Sequence, residues 1–99
     1  MSFVTTQPEM LAATATSLQS IGSTIDAQNA AAAVPTTGVA PAAADEVSAL
    51  TAAQFALYAQ IYQSVADHAA AIHQTFATTL GISADSYAAT EAANAIAAG

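Results

Sequence analysis

A chain of 99 residues makes one domain at most, with room for a single core and no second lobe. It carries seven acidic side chains and neither Lys nor Arg, for a net charge of −7, so it has no cation to neutralise phosphate and no guanidinium to fork onto a carboxylate. That balance argues against nucleic-acid binding and against docking on anionic lipid, while the absence of cysteine removes disulfide and thiolate chemistry and leaves the redox compartment open.

The opening residues, MSFVTTQPEM, have neither a basic region nor an apolar run, so an ordinary secretory signal peptide is not expected. Hydrophobic residues make up 55% of the chain, but thirty of the 99 are Ala, and Gln, Thr, Ser or Asp interrupts every apolar run; no transmembrane helix is expected either. Alanine richness favours helix over strand. Thr6-Gln7-Pro8-Glu9 has the T-x-x-E form of a capping box, with Pro8 in the first turn, where a missing N–H costs nothing. The first helix is expected over about residues 7–34, with an apolar stripe of Leu11, Leu18, Ile21 and Ile25, ending near Val34 because Pro35 disfavours helix in the residue before it. PTTGVAPAA, residues 35–43, reads as the turn. Asp45 is a plausible N-cap for a second helix over about residues 45–80, with Gly81 as its C′ residue and 81–99 as a separate tail. The expectation is an all-α, two-helix antiparallel hairpin occupying residues 1–99 as one domain.

On a helical wheel the large apolar residues of the second helix sweep an arc of roughly 160°, wider than one antiparallel neighbour covers. They are Leu50, Phe55, Leu57, Tyr58, Ile61, Tyr62, Val65, Ile72, Phe76 and Leu80, with Val47. The first helix opposes them with only four bulky aliphatics. A hairpin left alone would expose a strip of Tyr, Phe and Ile, the kind of patch that marks a binding surface. A partner chain solves the problem, giving an elongated four-helix bundle, either a homodimer or a heterodimer. The charge of −7 favours the heterodimer, since two identical acidic surfaces repel.

No catalytic, cofactor-binding or metal-binding set emerges. His68 and His73 stand five apart, on opposite edges of the stripe, with no Cys or paired carboxylate at ligand spacing and no carboxylate placed to orient either ring. Asp45-Glu46 fits helix-start chemistry better than a catalytic pair. Tyr87 and Glu91, four apart and past Gly81, allow two readings: a packing anchor on a short terminal helix, or a recognition tag at a chain end.

Met1-Ser2-Phe3-Val4, the Pro8-Glu9 dipeptide, the Pro-bounded turn PTTGVAPAAADEVSAL and the terminal Tyr87-x-x-x-Glu91 together make the chain resemble the mycobacterial PE family across essentially its whole length. Each motif alone is weak; their order and spacing in an Ala-rich hairpin are far more specific. The resemblance implies an obligate heterodimer with a PPE-family protein. It also implies export through a type VII secretion system, with Tyr87 and Glu91 as part of the Y-x-x-x-[DE] signal, and an EspG-type chaperone that grips the PPE chain before export. Such a protein would be non-enzymatic, cytoplasmic before export and then secreted or held at the cell surface. A different role that the resemblance allows is a component of an outer-membrane channel or nutrient-uptake system. Many family members continue into Gly-rich or enzymatic extensions; this sequence has none, and no activity of one is implied.

Overall fold

The computed structural model describes residues 4–99 and contains two helices, α1 (Pro8–Thr37) and α2 (Glu46–Ala98), joined by residues 38–45. Met1, Ser2 and Phe3, part of the motif quoted above, lie outside the described residues. The chain forms two compact units, each built from both helices. One comprises the described residues up to Gly22 together with Ile72–Gly99, and the other is Ser23–Ala71.

Helix α1 begins with Pro8 at its first helical position, where the lost N–H has no partner to miss. The Gln7 carbonyl accepts from Met10 N at 3.1 Å and Leu11 N at 3.1 Å, so Gln7 is the capping residue. The capping box read from Thr6 and Glu9 is therefore not formed, because Thr6 is bonded elsewhere. Helix α1 also continues through Pro35 to Thr37. A proline this close to the end deletes a single backbone bond, and the Thr36 and Thr37 hydroxyls donate to the Ala32 and Ala33 carbonyls at 2.6 and 2.7 Å.

Asp45 caps α2 as expected: its Oδ1 accepts Ser48 N–H at 2.8 Å and its Oδ2 accepts the Ser48 hydroxyl at 2.9 Å. The expected stop at Gly81 does not occur. Helix α2 runs unbroken for 53 residues, Gly81 lies within it at negative φ, and the separate tail 81–99 is its last turns. A glycine ends a helix only by adopting the left-handed conformation. Here the Ala-rich sequence beyond it carries the helix on.

The helices pack antiparallel through small side chains. In the first unit the buried residues are Ala15, Ala77 and Ala84, flanked by half-buried Leu11, Leu18, Gly22, His73, Leu80 and Glu91. In the second, Ala52 is buried, and Ala56, Ala59, Gln63, Ala66 and Ala70 follow at alternating steps of four and three, the spacing of a coiled-coil seam. The backbones come close in the first unit: a Cβ built on Gly81 would lie 3.9 Å from the Ala15 Cβ. Within the four-residue bulky stripe read on α1, only Leu11 and Leu18 join a seam, while Ile21 and Ile25 remain 51% and 49% exposed.

Candidate partner-binding face and tail site

With alanine filling the seams, the bulky residues are left outside. On α2, Val47, Leu50, Phe55, Leu57, Tyr58, Ile61, Tyr62, Val65, Ile72 and Phe76 are all exposed, and only Leu80 of the expected set is half-buried. At about 100° per residue Val47, Phe55, Tyr58, Ile61, Tyr62, Val65, Ile72 and Phe76 lie on one flank of the seam and the polar Glu46, Gln60, Asp67 and Gln74 on the other, while Leu50 and Leu57 lie on the side of α2 that faces away from the seam. The same rotation puts Ile21 and Met10 on the flank of α1 that matches Ile72 and Phe76 in the first unit. In the second unit it puts Ile25 on the same side as Tyr58, Tyr62 and Val65. Each unit therefore presents an apolar face drawn from both helices.

One aromatic on that face is held from beneath. The Tyr62 hydroxyl donates to Asn29 Oδ1 at 2.7 Å, and Gln63 Nε2 donates to the Asn29 carbonyl at 3.0 Å, while the Tyr62 ring stays half exposed. Next to the connection an apolar cleft of about 300 Å³ opens among Val39, Ala42, Val47 and Phe55.

His73 does not stand at the edge of the exposed strip. It occupies the seam, where its Nε2–H donates to the Leu18 carbonyl at 2.6 Å, whereas His68 is exposed. Among the described residues no three His, Cys, Asp or Glu side chains gather into a metal-binding set, and no helix is long and apolar enough to cross a membrane. The two Ser48 bonds, backbone first, hold the Asp45 carboxyl below its ordinary value.

Tyr87 and Glu91 sit on the last turns of α2, and the structure ties the second of them to the start of the chain. Thr6 donates its backbone N–H (3.1 Å) and its hydroxyl (2.9 Å) to Glu91 Oε1. Ala77, Ala84 and Glu91 are seven apart, so the carboxylate continues the seam to the level where α1 has not yet begun. Tyr87 lies one turn earlier and is 47% exposed. The four-residue spacing of the two is plain in the sequence, but the bond to Thr6, 85 positions away, is not.

An Ala-seamed helical hairpin with a Pro-Glu start and a Tyr-x-x-x-Glu end defines a protein class, and the family model for the PE family matches residues 4–94: the chain belongs to the PE family. It is 69% identical over 98 residues to the PE family protein PE13 of Mycobacterium tuberculosis, covering 99% of each chain. It is 56% identical over 98 residues to PE8 of the same organism, of which it spans 36%, and 60% identical over 95 residues to the PE-PGRS family protein PE_PGRS33, of which it spans 19%.

Proposed function

We propose that this chain is the non-enzymatic subunit of a secreted heterodimer, pairing with a PPE-family protein in a four-helix bundle and carrying the type VII secretion signal at Tyr87 and Glu91. The observation that carries the reading is the uncovered apolar face. The chain leaves 7357 Å² accessible, where a folded monomer of 9.8 kDa leaves about 5,200 Å² by the usual scaling with mass. The excess of about 2,200 Å² is of the size that a large, obligate interface buries.

Two acidic copies cannot offset each other's charge, so a chain of different composition is the better complement. A second pair of helices supplies it, meeting the apolar face of each unit: Ile72 and Phe76 with Ile21 in the first, and Tyr58, Tyr62 and Val65 with Ile25 in the second. Leu11, Leu18 and Leu80 stand at the margin of that contact. Export follows assembly: an EspG-type chaperone holds the PPE chain, and the secretion machinery then takes the pair to the cell surface or beyond it.

The test is coexpression with candidate PPE chains. A one-to-one complex that forms with one candidate and rescues this chain from aggregation supports the reading; a monodisperse monomer or homodimer that melts cooperatively at neutral pH overturns it. Tyr87→Ala and Glu91→Ala are expected to stop secretion while the complex still forms.

A further inference from the structure

The bond between Thr6 and Glu91 bears on how such a signal is presented. Thr6 precedes the first helical residue, so its N–H has no acceptor within α1, and Pro8 has no N–H to offer. Glu91 brings a carboxylate to this end of α1, where the helix dipole favours a negative charge. Both Thr6 donors fall on Oε1, which fixes the side chain yet lets the carboxylate meet an external donor through Oε2 without giving up either bond. No Lys or Arg side chain of the sequence competes for the group.

We infer that Thr6 is a positioning residue for the tail signal: the export receptor takes Tyr87 and Glu91 as a folded clasp, helix α2 fastened to residue 6, and not as a linear peptide. The inference rests on the export reading above. A clasp that holds the carboxylate one turn from a half-exposed tyrosine removes the ordering cost that a free tail would meet on binding. It also makes the recognised surface composite, built from both ends of the chain.

The experiment uses the full chain with its PPE partner in a mycobacterial host, with exported fraction, cellular amount of complex and melting temperature of the purified complex measured for each variant. Thr6→Val keeps the size and removes the hydroxyl; Thr6→Ser keeps the hydroxyl. Thr6→Val is expected to lower the exported fraction roughly tenfold, the order for removing one hydrogen bond to a charged group, with the amount of complex unchanged and the melting temperature lowered by no more than a few degrees. Thr6→Ser is expected to export normally.

Normal export of Thr6→Val beside failed export of Glu91→Ala overturns the clasp and leaves the signal reading standing. A Thr6→Val export loss that merely tracks a fall in melting temperature, or a failure to form the complex, also overturns it, since Thr6 then supports the fold alone. Normal export of both Tyr87→Ala and Glu91→Ala removes the export reading and the clasp with it.

Discussion

The imidazole of His73 fills the space that a side chain on Gly22 would need. A Cβ at that glycine would stand 2.8 Å from His73 Cδ2 and 3.0 Å from Nε2, and the ring cannot retreat without giving up its 2.6 Å bond to the Leu18 carbonyl. Gly22→Ala is therefore expected to destabilise the chain in its complex by roughly 1 to 3 kcal/mol, the usual range for overpacking. Thermal unfolding measures it. Adding His73→Ala should recover part of the loss, and strict additivity of the two changes would show that the residues do not meet.

Gly81 should respond in the opposite sense. It lies inside α2 at negative φ, and an added methyl would reach ordinary contact with Ala15. Gly81→Ala is expected to stabilise by about 0.5 to 1 kcal/mol, because glycine in a helix interior is disfavoured by that amount. A drop in melting temperature would point instead to a helix end at this position.

The apolar face separates from the polar one by substitution. Phe76→Ala or Tyr62→Ala should weaken the heterodimer by roughly 2 to 4 kcal/mol, as truncated aromatic anchors do. Asp67→Ala, on the opposite flank, should stay within about 0.5 kcal/mol. Titration of each variant with the partner chain decides, and equal losses from the two classes would mean that the partner sits elsewhere.

The Asp45 cap has a pH signature. Its carboxyl is held below the ordinary value of 3.8, so the cap's contribution is complete above that pH and is lost as pH falls through the lowered value. Protection of the Ser48 amide from hydrogen exchange should follow that course. In Asp45→Ala the protection should be low at every pH, and a wild-type profile that ignores acid would exclude the cap.

How much of this was legible in the sequence depends on the range of the interaction. Pro8 and the Asp45 cap act within four residues, and the chain shows both helix starts plainly. The surplus of bulky residues on one face was equally plain. Three features were hidden. The seam follows small residues, Ala52, Ala56, Ala59, Gln63, Ala66 and Ala70, whose heptad spacing was present but masked by the more conspicuous Leu, Ile and Phe. Gly81 looks like a stop because glycine permits the left-handed turn, but permission is not a requirement. Thr6 spends its donors on Glu91 instead of its own helix, a pairing that no local pattern encodes.

Alanine between the helices also acts as a spacer of minimum thickness. Because Ala77 and Ala15 let the two backbones of the first unit approach closely, the row holding Ile21 and the row holding Ile72 and Phe76 are brought to a narrow gauge. A bulkier residue at Ala77, even one that packed without strain, would widen that track and put both rows out of step with any rigid chain shaped to ride on them.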